Sequence, residues 1–429
     1  MLDIKFVREN PELVKENIKK KFQDAKLPLV DEAIELDKQI RALKVEVETL
    51  RASRNSLSQK IGQLMREKKI DEANEVKATV NKNNNRIAEI DPLLADLEQE
   101  LNKRMMVIPN IVDESVPVGK DDSENVENQK YGDPIVPEYE IPYHADIIAA
   151  FNGLDKDASG RTSGNGFYFL LGDIARLHSA MLSYARDFMI NKGFTYCIPP
   201  FMIRSDVVKG VMSFAEMEGM MYKIEGEDLY LIGTSEHSMI GRFKNQIVKE
   251  SELPITLTSY SPCFRKEVGA HGIEERGVYR VHQFEKQEMI VICKPNESMD
   301  WYNKMWSYTV EFFRSLDVPV RTLECCTGDL ADLKVKSCDI EAWSPRQKKY
   351  FEVGSCSTLG DAQARRLGIR TKGEDGTYLV HTLNNTVLAT PRGLIAVLEN
   401  NYQEDGSILV PKALQPYMGG TKIINIKKA

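Results

Sequence analysis

The chain has 429 residues, of which 42% are hydrophobic and 28% are charged, and its formal net charge at pH 7 is −7. This composition is that of a globular protein with room for two or three domains. No apolar run approaches the roughly 18 residues of a membrane span, and the start MLDIKFVREN lacks the apolar core of a signal peptide. Seven cysteines without a CxxC pair argue against a disulfide framework or a typical zinc site. We therefore expect a cytoplasmic protein with reduced thiols and no contact with a membrane.

Two heptad patterns dominate the first quarter of the chain. Apolar residues recur at alternating spacings of four and three, first from Leu36 to Leu64 and then from Val76 to Leu101. A polar break separates the two patterns at residues 66–72. Residues 36–101 are therefore predicted to form an antiparallel helical hairpin, a coiled-coil arm, and Pro92 should kink its second helix.

The two predicted helices differ in charge. Residues 38–69 hold nine basic and three acidic side chains, whereas residues 71–100 hold three basic and eight acidic ones. One interpretation is a solvated coiled coil with ion pairs between its helices, and the other is a cationic strip that binds a phosphate backbone. Charge alone favours the ion pairs. The strip would include Lys38, Arg41, Lys44, Arg51 and Arg54.

The middle of the chain has weaker signals. Residues 106–142 contain five of the 18 prolines and many acids, which predicts an extended linker after a domain boundary near residue 109. A glycine-rich loop at residues 159–166 precedes an apolar helix predicted over residues 173–189. Residues 192–203, KGFTYCIPPFMI, have the character of a buried strand with a proline bulge.

The stretch LYLIGTSEHSMIGR, residues 229–242, predicts a short strand that ends in Thr234, Ser235 and Glu236. A hydroxyl and a carboxylate at the end of a strand can together bind an ammonium group. The alternative is a helix N-cap, in which Thr234 or Ser235 caps a helix from about His237. Spacing alone favours the cap.

The most informative stretch is residues 258–288, TSYSPCFRKEVGAHGIEERGVYRVHQFEKQE. Its two ends have strand character, and the charged, glycine-punctuated residues 268–277 predict a long loop between antiparallel strands. Alternation along the second strand places five side chains on one face, namely Arg280, His282, Phe284, Lys286 and Glu288. Cations, an aromatic ring and a carboxylate on one face suit the floor of a polar-ligand site. An aminoacyl-adenylate, with a flat ring at one end and an amino group at the other, has a fitting shape.

Three segments resemble the motifs of class II aminoacyl-tRNA synthetases, specifically seryl-tRNA synthetases. FRKE at residues 264–267, with the charged loop and RVHQFEKQE, resembles motif 2. Residues 192–203 resemble motif 1, which builds the dimer interface in this family, and residues 381–400, HTLNNTVLATPRGLIAVLEN, resemble motif 3. Motif 3 departs from the family pattern, because TVLATP replaces a glycine-rich approach and Pro391 directly precedes Arg392. A proline in the first turn of a helix is compatible with presentation of that arginine.

The resemblance spans the chain and implies an α+β fold. An N-terminal tRNA-binding domain, residues 1–109, would carry the hairpin, and a class II catalytic domain, residues 110–429, would be built on an antiparallel β-sheet flanked by helices. The implied activity is that of an ATP-dependent serine–tRNA ligase. Such an enzyme activates L-serine with ATP to seryl-adenylate and transfers the seryl group to tRNA(Ser), and whether it serves a selenocysteine tRNA stays open. The resemblance also implies a homodimer and Mg²⁺.

The same resemblance implies the residues of the site. Serine would be bound by Thr234, Ser235, Glu236, Arg265, Glu288 and Thr386. ATP would be bound by Arg265, Lys266, Glu267, Val281, Phe284, Glu352, Val353, Gly354, Ser355 and Arg392. Arg265, on the α-phosphate and the serine carboxylate, and Arg392, on the γ-phosphate, would be catalytic. Glu352 and Ser355 would hold Mg²⁺, and the cationic strip of the hairpin would contact tRNA(Ser).

Two alternatives remain at this stage. The first is an amino acid:carrier-protein ligase, against which the hairpin at residues 36–101 argues, because such relatives lack it. The second is a catalytically inactive, RNA-binding coiled-coil adaptor on a synthetase fold. The presence of Arg265, Glu288 and Arg392 argues against the adaptor, whereas the altered motif 3 keeps it open.

Overall fold

Contacts between residues separate the chain into two units, Met1–Pro109 and Asn110–Ala429. The structure is a computed structural model that describes residues 1–213, 217, 219–267, 277–374 and 376–426. The loop predicted at residues 268–277 therefore lies outside the described residues, except for Gly277. None of the described helices is both long enough and apolar enough to cross a membrane.

The first unit is helical, and its heptad positions form the predicted hairpin. Its helices are α1 (Ile4–Glu9), α2 (Pro11–Lys20), α3 (Leu27–Arg66) and α4 (Ile70–Val107), with a 3₁₀ turn at Asp24–Lys26. The long helices α3 and α4 extend beyond the predicted limits, because Val30, Ala33 and Met105 continue the buried stripe. Helix α4 is continuous through Pro92, so the proline does not end it.

The seam between α3 and α4 contains a buried polar contact that favours one register of the two helices. Asn83 is 9% exposed and donates a hydrogen bond from Nδ2 to Ser53 Oγ over 3.2 Å. A polar residue at a seam position favours one register, because any shift leaves its amide unpaired. Ion pairs also link the two helices on their flanks, as the first interpretation of the charge pattern requires. They are Lys44–Glu98 at 2.7 Å, Arg51–Asp91 at 3.0 Å and Arg86–Glu46 at 2.7 Å.

The second unit is built around an eight-stranded sheet. Its strands are β1 (Val126–Tyr131), β4 (Thr195–Tyr196), β8 (Ile255–Phe264), β9 (Gln283–Cys293), β10 (Val320–Glu324), β11 (Lys336–Ser344), β12 (Lys349–Thr358) and β15 (His381–Ala389). Their order is β1-β10-β11-β12-β15-β9-β8-β4, and every neighbouring pair is antiparallel except β4 and β8. Short strands form smaller sheets, namely β2 (Leu154–Asp155), β3 (Phe169–Leu170), β5 (Met202–Ile203), β6 (Tyr230–Leu231), β7 (Ile247–Lys249), β13 (Arg370–Gly373), β14 (Gly376–Leu379), β16 (Ile408–Leu409) and β17 (Ile423–Ile424).

Helices cover the sheet and enclose the main core. They are α5 (His144–Ala150), α6 (Lys156–Thr162), α7 (Gly172–Asn191), α8 (Ser205–Val211), α9 (Ser235–Gly241), α10 (Ser298–Ser315), α11 (Ala362–Leu367) and α12 (Arg392–Asn401). Met289, Val291 and Cys293 of β9 join the core that α7 and α10 close, whereas Ile290 and Ile292 join a second cluster with α9 and α11. Strand alternation thus gives β9 two different faces. The predicted α+β architecture is confirmed.

Three local predictions were wrong. The linker at residues 106–142 is not wholly extended chain, because α4 continues to Val107 and Asp122–Glu124 form a 3₁₀ turn. Its extended part includes β1, which joins the edge of the main sheet beside β10. The glycine-rich loop at residues 159–166 is partly helical, since α6 runs to Thr162. The second strand of the central stretch begins at Gln283, so Arg280 and His282 precede it. The backbone of His282 pairs instead with Gly166 and Arg265, an arrangement that alternation alone does not distinguish from a strand.

Candidate active site

A cavity of about 400 Å³ opens on the face of β9 that carries Phe284, Lys286 and Glu288. Of the residues predicted to bind serine or ATP, all except Ser235 and Lys266 line it, namely Thr234, Glu236, Arg265, Glu267, Val281, Phe284, Glu288, Glu352, Val353, Gly354, Ser355, Thr386 and Arg392. Ser235 is fully buried in the first turn of α9. The backbone N–H of Lys266 donates to Met220 over 2.9 Å. Residues from five separate stretches of sequence therefore meet at one cavity.

One end of the cavity is a buried ion pair. Lys286 Nζ lies 2.5 Å from Glu288 Oε2, and the two side chains are only 7% and 2% exposed. Thr386, from β15, directs its hydroxyl toward the same Glu288 oxygen at 3.4 Å. The register of β9 with β15 aligns Thr386 with Glu288, so the sheet itself fixes this contact. A carboxylate held by a cation and a hydroxyl is a fixed acceptor for a small polar ligand.

Glu236 lies beside this pair, in the first turn of α9. Burial, and next the negative charge of Glu288, raise the pKa of Glu236 from its ordinary value of 4.5 to about 7. Gln363 Nε2 donates to Glu236 Oε1 over 2.8 Å and partly offsets this effect. Burial also lowers the pKa of the neighbouring His237 to about 3, with the charges of Lys286 and Arg265 acting in the same direction. A cationic ligand beside Glu236 would therefore favour the ionised carboxylate, which burial and Glu288 disfavour.

The two interpretations of Thr234 are compatible in part. Thr234 is the N-cap of α9, and its hydroxyl accepts a hydrogen bond from the Glu236 N–H at 3.3 Å. The helix starts at Ser235, two residues before the predicted start. The cap predicted from spacing is therefore present, and it orients the same Thr234 and Glu236 that line the cavity.

Arg265 and Phe284 stack in the centre of the cavity. The Arg265 guanidinium carbon lies 5.2 Å from the centroid of the Phe284 ring, and its Nε donates to the Gly233 carbonyl over 3.3 Å. These contacts fix the plane of the Arg265 guanidinium, a group whose N–H donors suit oxyanions. Glu267, which also lines the cavity, has a positive φ of 46° and an ion pair with Arg280 at 3.6 Å. Val281 is 3% exposed and completes this wall.

The far end of the cavity carries Arg392, at the start of α12. Its NH1 group donates to Glu352 Oε2 over 2.8 Å, and its guanidinium lies 4.5 Å from the centre of the Tyr279 ring. Pro391 is the residue before the helix and does not disrupt it. The arginine of the altered motif 3 is therefore presented to the cavity. Glu352 remains 44% exposed on its side chain, so one carboxylate at this end is accessible.

Asp339 adds a second carboxylate beside Glu352. Burial, and next the charge of Glu352, raise the pKa of Asp339 to about 7, although a hydrogen bond from Ser355 acts in the opposite direction. Carboxylates that repel each other while a hydroxyl lies nearby form a set of hard oxygen donors suited to Mg²⁺. The residues present at this end thus fit a divalent cation.

Sequence reasoning missed several residues of this cavity. Asp339, Tyr279 and Asn384 line it, and Gln363 lies behind it. Tyr279 lies within the stretch 258–288 and Asn384 within motif 3, but neither was assigned to a ligand. Asp339 and Gln363 lie outside the segments that were singled out for a ligand. Lys286 was placed on the correct face of β9, but its pairing with Glu288 was not predicted. Alternation gives the face, whereas the pairing depends on side-chain conformations.

The predicted tRNA-binding residues all lie on α3. Besides the links of Lys44 and Arg51 to α4, Lys38 pairs with Glu35 at 3.8 Å and Arg41 with Asp37 at 2.8 Å within α3. Lys38, Arg41, Lys44 and Arg51 keep at least half of their side-chain surface exposed. The strip is thus ion-paired and open to solvent at the same time.

Two family models match the chain. Residues 1–112 match the seryl-tRNA synthetase N-terminal domain, and residues 220–401 match the tRNA synthetase class II core domain (G, H, P, S and T). The serine–tRNA ligase of Methanoculleus marisnigri is 40% identical over 428 residues, which cover 99% of this chain and 100% of the relative. The serine–tRNA ligase of Pyrococcus horikoshii is 40% identical over 450 residues, covering 100% of this chain and 98% of the relative.

Solved structures agree with these matches. The fold is similar to a crystal structure of seryl-tRNA synthetase from Pyrococcus horikoshii complexed with ATP, with a TM-score of 0.94, 39% identity and full coverage of both chains. It is also similar to the cytoplasmic serine–tRNA ligase from Naegleria fowleri in complex with AMP, with a TM-score of 0.88, 34% identity and coverage of 100% and 99%. The chain therefore belongs to the seryl-tRNA synthetase family of class II, ATP-dependent aminoacyl-tRNA ligases.

Proposed function

We propose that the cavity activates L-serine with ATP to seryl-adenylate and that the chain then transfers the seryl group to tRNA(Ser). The observation that carries this proposal is the Lys286–Glu288 pair with the Thr386 hydroxyl. A fixed acceptor and a hydroxyl that are both buried in the cavity wall match the side-chain hydroxyl of serine. A site built to hydrogen-bond a hydroxyl rejects an analogue that lacks it by about 10⁴–10⁵-fold.

The remaining serine contacts follow from charge. Glu236, beside Thr234, accepts from the ammonium group, and Arg265 binds the carboxylate. An ammonium ion favours the ionised form of Glu236, which burial disfavours. The ammonium group of bound serine therefore offsets the cost of ionising the buried Glu236 carboxylate.

ATP occupies the other end. Glu267 and Val281 meet the edge of the adenine ring and Phe284 its face, while Arg392 binds the γ-phosphate. Arg265 binds the α-phosphate together with the serine carboxylate, so the attacking oxygen and the phosphorus are held in line for displacement of pyrophosphate. This step needs charge neutralisation and positioning rather than acid–base groups. Val353 and Gly354, which also line the cavity, contact the ATP as well.

Glu352 and Ser355 would hold Mg²⁺, with Asp339 beside them. The ion would neutralise phosphate charge at this end of the cavity. Since Arg392 binds Glu352 at 2.8 Å, the same carboxylate also positions the arginine for the γ-phosphate.

The two units divide the work in this proposal. Residues 1–109 bind tRNA(Ser) through the strip on α3, and residues 110–429 carry out the chemistry. Motif 1, residues 192–203, joins two copies into a homodimer, and the enzyme acts in the cytoplasm. An inactive adaptor and a carrier-protein ligase are not favoured, because the matched relatives are serine–tRNA ligases over their full length.

Serine-dependent exchange between ATP and pyrophosphate tests the proposal. We expect exchange with serine and none above background with alanine, threonine or glycine. Exchange would also establish that TVLATPR is a working motif 3. A folded protein that gives no exchange with any of the four amino acids would contradict the proposal and leave the hairpin as the functional part.

A further inference from the structure

A buried glutamine lies directly behind the proposed ammonium site. Gln363, in α11, is 0% exposed and is not part of the cavity wall. Its side chain reaches three different elements. Nε2 donates to Glu236 Oε1 over 2.8 Å and to the Val211 carbonyl over 3.1 Å, and Oε1 accepts from Thr382 Oγ1 over 2.7 Å.

These three bonds leave the amide a single orientation. If the amide were rotated by half a turn, its oxygen would face the carboxylate of Glu236 and the carbonyl of Val211, which are both acceptors. Its NH₂ group would then face Thr382, which would still satisfy one hydrogen but leave the other without a partner. Both amide hydrogens of Gln363 are therefore committed, one to Glu236 and one to the end of α8.

The charged groups around Glu236 show why the hydrogen bond from Gln363 matters for the ionisation of Glu236. Glu288 and Lys286 approach from β9, and His237 is neutral because its pKa lies at about 3. Glu288 and burial disfavour the Glu236 carboxylate, whereas Lys286 and the hydrogen bonds of Gln363 and Asn384 favour it. Among these, Gln363 is the group that does not line the cavity, so it can act on Glu236 without contact to a ligand.

We propose that Gln363 is a positioning residue for serine. Its hydrogen bond holds the Glu236 carboxylate in place, opposes protonation of this group and presents it to the substrate ammonium. Thr382 supports it by fixing the amide. This inference rests on the proposed role of Glu236 in serine binding. A purely structural brace between α8, α9 and α11 is the competing explanation, and it predicts lower stability with unchanged affinity for serine.

The test is serine-dependent ATP–pyrophosphate exchange by the full-length Gln363→Met variant, which keeps the side-chain length and removes both donors. We expect the KM for serine to rise about tenfold or more, as expected for the loss of a hydrogen bond to a charged group, with the KM for ATP within about twofold of wild type. The acid limb of kcat/KM for serine should move about one pH unit in the alkaline direction, because Glu236 then protonates more readily.

A second variant keeps the test independent of folding. Thr382→Val leaves Gln363 in place but removes the hydrogen bond that its Oε1 accepts. The amide is then held less firmly, and the KM for serine should rise about threefold. Gln415→Met is the matched control, since Gln415 donates to the Val410 carbonyl far from the cavity, and its KM values should equal those of wild type. Unchanged serine KM and pH profile in folded Gln363→Met, or in Thr382→Val if the first variant does not fold, would overturn the inference. Absence of exchange in the wild type would instead refute the proposed function.

Discussion

The hairpin and the cavity use charge in opposite ways. On the hairpin, Arg51 and Asp91 are 50% and 47% exposed although they form an ion pair. In the cavity, Lys286 and Glu288 are 7% and 2% exposed at 2.5 Å. Exposed pairs contribute about 0–1 kcal/mol and exchange partners readily, whereas removal of one member of a buried pair costs about 3–5 kcal/mol.

This difference matches the two kinds of ligand. A polyanion such as tRNA displaces counterions from an exposed strip, and each basic side chain can leave its carboxylate for a phosphate at little cost. A serine-sized ligand offers few contacts, so each acceptor must already be in place before binding. The contrast predicts large, geometry-dependent effects in the cavity and small, salt-dependent effects on the hairpin.

The largest effect is expected from the buried pair. Glu288→Ala should abolish serine-dependent exchange, because the acceptor for the serine hydroxyl is lost, while ATP binding measured by calorimetry survives. The single variant leaves Lys286 buried without its partner, and the resulting cost of about 3–5 kcal/mol threatens the fold.

A double variant, Lys286→Met with Glu288→Met, removes this complication because neither an unpaired charge nor an acceptor for the serine hydroxyl remains. It should fold, bind ATP and still lack exchange with serine. Serine-dependent exchange in either folded variant would show that Glu288 does not recognise the substrate.

The next largest effect is expected at Arg265. Arg265→Ala should slow exchange by about 10²–10³-fold, the range found when one donor to a developing oxyanion is removed. Arg265→Lys should recover little of this loss, because a single ammonium cannot bind two oxyanions as a planar fork does. A rate near that of wild type in Arg265→Ala would refute its role on the α-phosphate.

Glu236 allows a test in which stability and function oppose each other. Since its pKa is raised from 4.5 to about 7, the ionised carboxylate costs folding free energy above pH 7, and this cost disappears as the pH falls toward 4.5. Glu236→Gln should therefore raise the free energy of unfolding by about 1–3 kcal/mol at pH 8 and by little near pH 5. Denaturant unfolding at both pH values measures this.

The direction of the pH dependence is the decisive observation for Glu236. A gain that is equal at pH 5 and pH 8 would mean that packing, not charge, is responsible. A loss of stability at pH 8 would mean that the carboxylate is stabilised in the folded protein, and the proposed use of bound ammonium to relieve it would be wrong.

The sequence predicts the hairpin more completely than the cavity, for a physical reason. The hairpin follows from a local period, so residues such as Val47 and Ile87 are buried as the heptads require. The cavity depends on contacts between distant segments, and only family resemblance placed its residues in one site. Gln363 carries no local signal, because its importance comes from Glu236, 127 residues away in the sequence. Asp339 carries none either, because its importance comes from Glu352 on the neighbouring strand β12.

The smallest predicted effect returns to the hairpin and tests the strip directly. Arg51→Gln removes one cation that is paired across the hairpin, and Arg86→Gln removes another pair of similar exposure whose arginine lies on the acidic helix α4. Neither should change exchange or shift the thermal midpoint appreciably. Only Arg51→Gln should lower the slope of log affinity for tRNA(Ser) against log salt concentration, by about one, since one phosphate contact is lost. If both variants keep the slope of the wild type, the phosphate backbone lies elsewhere on the hairpin. If the slope falls by the same amount in both variants, net charge, and not the strip on α3, attracts the tRNA.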